Sequence, residues 1–108
     1  TEIIAVEPKN VSALLGHEPG LHQIQGIGDG FVPKILDTSL VDTVLEVTDD
    51  DAIVTARALA QDAGLLVGVS SGANVWAAMR VAERLGNDAV IATVLPDRAE
   101  RYFSTSLI

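Results

Sequence analysis

The chain has 108 residues, 48% of them hydrophobic, enough for one compact unit with a modest core of its own. Fifteen Asp and Glu against seven Lys and Arg leave a formal net charge of −8, which repels a polyanion and offers no basic stripe, so nucleic-acid binding is not expected. Without cysteine there is no disulfide framework, thiolate metal site or nucleophilic thiol; with no signal-like leader and no apolar run of membrane-spanning length, the expected setting is the cytoplasm, away from membranes.

Thr1 to Glu7 (TEIIAVE) is β-branched and stopped by Pro8, which predicts a buried strand ending at Glu7. The first residue is threonine and the strand begins almost at once, so the expectation is a piece of a longer polypeptide. Asn10 to Gly16 has a capping residue, an apolar face and a terminal glycine, the pattern of a short helix. Glu18 to Lys34 holds Pro19, Gly20, Gly26, Gly28, Gly30 and Pro33, a density that breaks both regular periods and predicts a long structured loop of the kind that carries function.

Val44 to Val47 predicts a second strand. Thr48 followed by Asp49, Asp50 and Asp51 is a helix start, with a capping hydroxyl and negative charge at the positive end of the dipole. The helix runs to a stop at Gly64, with Ala52, Ile53, Ala56, Leu59, Ala60 and Ala63 on one face and Arg57 and Asp62 toward water. Leu65 to Val69 (LLVGV) predicts a third strand feeding into a helix from about Ser71 to Leu85, whose inner face is read as Val75, Ala78, Met79, Ala82 and Leu85, with Gly86 as its stop. Ala89 to Leu95 (AVIATVL) is a continuous apolar run, as in a strand covered on both faces. Alternating strands and helices imply an α/β fold with a mostly parallel open sheet and helices on both faces.

Three segments invite chemistry: the loop QGIGDGFVP at Gln25 to Pro33, the strand-to-helix turn GVSSGA at Gly68 to Ala73, and LPDRAERYFST at Leu95 to Thr105. The last two sit at carboxyl ends of predicted parallel strands, where open α/β sheets bind ligands. A serine pair opening a helix is most often a cap; flanked by Gly68 and Gly72, the two hydroxyls could also hold a phosphate or a heteroaromatic nitrogen. The glycine loop lacks the preceding strand and following helix of a dinucleotide fingerprint, so it is either a surface loop or a pocket lining of bare amides. His17 and His22 have no evident third metal ligand, no metal site is expected, and Ser70 lies outside a nucleophile elbow.

Together, AVEP at Ala5 to Pro8, HQIQGIGDGFVP at His22 to Pro33, LVD at Leu40 to Asp42, LLVGVSSGA at Leu65 to Ala73 and VLPDRAERYFST at Val94 to Thr105 resemble the closing third of cysteine synthase, also called O-acetylserine sulfhydrylase. The resemblance implies that residues 1–108 are the C-terminal segment of the large domain of a fold-type II pyridoxal-phosphate enzyme, its N-terminal portion absent. It implies that Ser70 bonds the pyridine nitrogen of pyridoxal phosphate, and that Gly26 and Gly28 lie beside the cofactor and substrate. It further implies a reaction of O-acetylserine with sulfide giving cysteine and acetate, a homodimer when complete, and a loop region that receives the C-terminal tail of serine acetyltransferase.

The family's cofactor-bearing lysine, its SGNTG-type substrate loop and its GTGGT-type phosphate loop are not in this sequence; the only lysines, Lys9 and Lys34, lie in other contexts. The chain alone is therefore expected to be inactive, with no catalytic residue of its own, with a sheet edge unpaired and apolar helix faces uncovered. Two other readings stay open: a non-catalytic binding module for the acetyltransferase tail, and a fragment of an enzyme like cystathionine β-synthase.

Overall fold

The computed structural model describes residues 1–9, 11–16, 20, 23–24, 27–28, 30–102 and 104. Strand β1 (Ile4–Pro8) pairs in parallel with β2 (Thr43–Val47), in a register that sets Ile4 against Thr43 and Pro8 against Val47. β1 thus runs one residue past Glu7. Pro8 lacks a donor, and the Lys9 amide supplies the next bond instead, to the Val47 carbonyl at 2.9 Å. Between the strands the described residues make two 3-10 turns, Ala13–Leu15 in place of the expected short helix, and Thr38–Leu40. The second is capped by Asp37, whose carboxyl is held below its ordinary value by hydrogen bonds from the Ser39 hydroxyl and amide.

Helix α1 (Asp49–Ala63) begins and ends where its local signals say. Thr48 accepts from the Asp51 amide at 3.1 Å, the three aspartates occupy the first turn, and Gly64 closes the helix at φ 68°. Ala52, Ile53 and Ala56 are buried, Leu59 and Ala60 half-buried, and Ala63 exposed. Thr48→Ala should cost about 1 kcal/mol of stability, read from a denaturant melt. Gly64→Ala should cost a similar ~1 kcal/mol. A new Cβ there meets nothing within 4 Å, so the whole penalty is backbone conformation, and Gly64→Asn should recover part of it.

Helix α2 (Val69–Leu85) starts two residues before the expected Ser71 and packs on α1. Its buried face is Val69, Ser70, Ser71, Gly72, Ala73, Ala77 and Val81. This corrects the face read from periodicity, since Met79 is 48% and Leu85 45% exposed. The reason is the closeness of the helices. A Cβ on Gly72 would collide with the Ala52 carbonyl oxygen and lie 2.9 Å from the Ala56 methyl, so only small residues fit where bulky aliphatics had been expected. The core gathers Val47, Ala52, Ile53, Ala56, Val69, Ala73 and Ala99 around Ile24, with Val6, Ile27 and Trp76 packed against them.

Two expected strands do not form. Leu65–Val69 is reduced to one antiparallel bridge, Val67 to Arg98, and the run 89–95 forms no ladder. A strand is defined by a neighbour, and among the described residues neither segment has one along its length. What persists is a parallel α/β unit with two helices. Among the described residues no helix is long and apolar enough to cross a membrane.

Candidate cofactor site

Three sequence segments that looked chemically suggestive meet at the amino-terminal end of α2. The turn Gly68–Gly72 is held by the segment that follows residues 89–95: the Gly68 amide donates to the Asp97 carbonyl at 3.1 Å, and the Ala99 amide to the Leu66 carbonyl at 3.1 Å. Ala99 is itself buried in the core beside Val69. The glycine loop arrives through Ile24, which is fully buried in that same core, and through Ile27 packed against it. These two isoleucines went unmarked in the sequence reading. Their apolar spacing within an otherwise glycine-rich stretch was the available signal.

Ser70 lies in the first turn of α2 and is only 4% exposed. Among the described residues no side chain caps this helix, whose N-cap is Gly68, and no acidic residue occupies its first turn. The free amides there present partial positive charge, and the hydroxyls nearby are neutral. Next to Ser70, Ser71 is fully buried, and among the described residues its Oγ has no hydrogen-bond partner, an uncommon state for a buried hydroxyl. Gly28 is half-buried and adopts φ 69°, a conformation that favours glycine. Gly26, His17 and His22 lie outside the described residues.

At the carboxyl end of β1, the Glu7 carboxylate accepts from the Ser12 hydroxyl and from the Leu14 amide at 3.2 Å. Ser12 in turn accepts from the Leu15 amide at 3.3 Å, so the turn leading toward the glycine loop is tied to the strand by a fully buried hydroxyl. Lys9 and Lys34 are both exposed.

A family model described as pyridoxal-phosphate dependent enzyme matches residues 1–97. The chain belongs to the pyridoxal-phosphate-dependent enzyme family. Within that family it is 44% identical over 106 residues to the cysteine synthase of Staphylococcus aureus strain Mu50, covering 98% of this chain and 34% of the relative. Among solved structures it is similar to a cysteine synthase of Entamoeba histolytica (TM-score 0.93, 41% identity, 98% of this chain and 32% of that one). It is also similar to an O-acetylserine dependent cystathionine β-synthase of Helicobacter pylori (TM-score 0.91, 40% identity, 98% and 34%). The chain thus spans about a third of the length of the relatives it matches, its match falling in the C-terminal part of the cysteine synthase, and it has the α/β fold of the fold-type II enzymes.

The residues present fit a bound pyridoxal phosphate. A buried neutral hydroxyl at an uncapped helix start, without a carboxylate in the same turn and beside an unsatisfied serine, can meet the ring nitrogen of an aromatic cofactor without fixing a proton on it.

Proposed function

We propose that this polypeptide contributes the ring-nitrogen side of the cofactor site in a cysteine synthase. The reaction would break the Cβ–O bond of O-acetylserine, releasing acetate, and form a Cβ–S bond with sulfide, giving L-cysteine. The carrying observation is the burial of Ser70 at the uncapped start of α2. When bound, pyridoxal phosphate supplies the electron sink for loss of one β-substituent and addition of another.

The chain's own residues have modest and separable tasks in this reading. The Ser70 Oγ bonds the ring nitrogen as a neutral partner, and the positive end of the α2 dipole disfavours a proton on that nitrogen. Gly26 and Gly28 form the side of the pocket against the substrate, where absent side chains allow close approach. The packing of Ile24 and Ile27 fixes the height of that loop over the helix start.

Neither Lys9 nor Lys34 matches the lysine that carries the cofactor in the family, so the isolated chain is inactive in this reading. Its C-terminal position in a longer polypeptide is part of the same proposal, as are a homodimer and a tail of serine acetyltransferase seated near the glycine loop. The test joins this chain to the part of the S. aureus cysteine synthase that it does not match. The joined protein should bind pyridoxal phosphate and release cysteine from O-acetylserine and sulfide, and the chain alone should release none above the blank. Cystathionine formed from O-acetylserine and homocysteine in preference to cysteine would favour the second reading that the H. pylori relative suggests.

A further inference from the structure

Glu7 is an unexpected residue near the end of a strand. Glutamate is a weak strand former, and in the parallel register it stands beside Glu46, a second carboxylate, a pairing that costs stability. The strand itself therefore gives no reason for it. Its Oε2 accepts both the Ser12 hydroxyl and the Leu14 amide, so one oxygen holds the turn Ala13–Leu15 at two points. Ser12 is fully buried and accepts from the Leu15 amide, which makes carboxylate, hydroxyl and turn one continuous chain of bonds.

Both ends of the glycine loop lean on this turn and the residue before it. At the start of the loop, Gly20 lies so close to buried Val11 that a Cβ there would stand 2.8 Å from the Val11 Cγ1. Toward its end, Val32 lines a cleft of about 310 Å³ together with Ala13 and Leu14 of the turn. Between these supports Ile24 and Ile27 pack on the core, and Gly28 takes its positive φ. The loop is thus fixed twice, by the isoleucines in the core and by the Glu7-held turn at the carboxyl end of β1.

We infer that Glu7 is a positioning residue for the proposed reaction, holding the glycine loop where Gly28 meets the amino-acid substrate. This rests on the reading of Gly28 as the substrate side of the pocket. Glu7 acts through the turn, and because both bonds end on one oxygen the role needs an acceptor of this length rather than a charge. Glutamine can present its carbonyl oxygen to the same two donors. Methionine keeps the length and removes the acceptor.

The test uses the joined enzyme with Glu7→Met, Glu7→Gln and Gly20→Ala. In Glu7→Met the amides of Leu14, Leu15 and Ile24 should exchange at least about tenfold faster while those of α1 keep the parent's rates, as expected when bonds to a carboxylate are lost from the turn alone. KM for O-acetylserine should rise about tenfold with kcat within about twofold, since only molecules with the loop in place bind substrate. The absorbance of the bound cofactor should not change, because Ser70 is untouched. Glu7→Gln should restore both exchange and KM. Gly20→Ala spares the carboxylate and crowds Val11, so it should raise KM in the same way, and it decides the matter if Glu7→Met does not fold. Exchange that quickens equally in α1, a KM at the parent's value in the folded variants, or a glutamine that rescues neither quantity overturns the role. A joined parent that releases no cysteine sinks the proposed reaction separately. Faster exchange confined to Leu14, Leu15 and Ile24 and rescued by glutamine would then still uphold Glu7 as the residue that holds the loop, and its absence would remove that as well.

Discussion

Gly72→Ala is expected to destabilise the protein by about 2 kcal/mol, lowering the thermal midpoint by roughly 10 °C. Two effects compete. Alanine is the better helix former and would gain up to about 1 kcal/mol at an interior position. Against this, its Cβ would strike the Ala52 carbonyl oxygen and sit 2.8 Å from the Ala56 nitrogen and 2.9 Å from its methyl. Two of those atoms are backbone of a packed helix, so no side-chain rotation relieves them, and α1 and α2 must separate. Separation opens the core at Ala52, Ala56 and Ala73, adding lost contacts to the strain. The change also reaches the cofactor site, since Ser70 shares the first turns of α2 with Gly72. In the joined enzyme, Gly72→Ala should therefore weaken cofactor binding as well as stability. Gly64→Ala should lower stability alone, because Gly64 lies at the far end of α1 in open space. An unchanged midpoint for Gly72→Ala would mean that the helices are not held at this separation.

The contrast between these glycines shows what the sequence could and could not reveal. Gly64, Thr48 and the three aspartates were readable because capping depends on residues within one turn of each other, and the structure places α1 between them. The buried face of α2 was misread because periodicity ranks positions by apolar bulk. The contact with α1 selects the smallest side chains, Gly72 and Ala73, and Met79 and Leu85 lie toward solvent. The runs 65–69 and 89–95 have strand composition, but composition supplies no partner, and among the described residues the first finds one bridge and the second none. At the site, Ser70 was singled out through its resemblance to a family motif. The serine pair by itself is most often a helix cap, and its burial becomes visible only in the fold. The structure separates those meanings in part: among the described residues no side chain caps α2, so Ser70 and Ser71 are free of the task that chemistry would otherwise assign them.

Ser70→Asp should be the most damaging single change at the site, and Ser70→Ala among the mildest for the fold. Serine is buried here, and alanine removes its hydroxyl without adding volume, so Ser70→Ala should stay within about 1 kcal/mol of the parent in stability. If the hydroxyl bonds the ring nitrogen, the joined enzyme should lose about 5–10-fold in cofactor affinity, the equivalent of one ordinary hydrogen bond. Aspartate instead places a charge against the core. Burial of an unpaired carboxylate costs several kcal/mol, and the favourable end of the α2 dipole returns only about 1 of them, for a net loss of about 2 kcal/mol or more before cofactor is added. The sign with pH follows from which form bears that cost. Burial raises the carboxyl of the folded protein above its unfolded value, so the deficit is small in acid and grows as pH rises through the carboxylate range. Urea melts of Ser70→Asp in acid and at neutral pH read this directly. With cofactor present, a carboxylate at this position would hold the ring nitrogen protonated and change the absorbance of the bound ring, a signal that a merely structural serine would not produce. Equal stability of Ser70→Asp and parent at neutral pH would mean that water reaches position 70 in solution, and the neutral, enclosed hydroxyl on which the proposed chemistry depends would be lost with it.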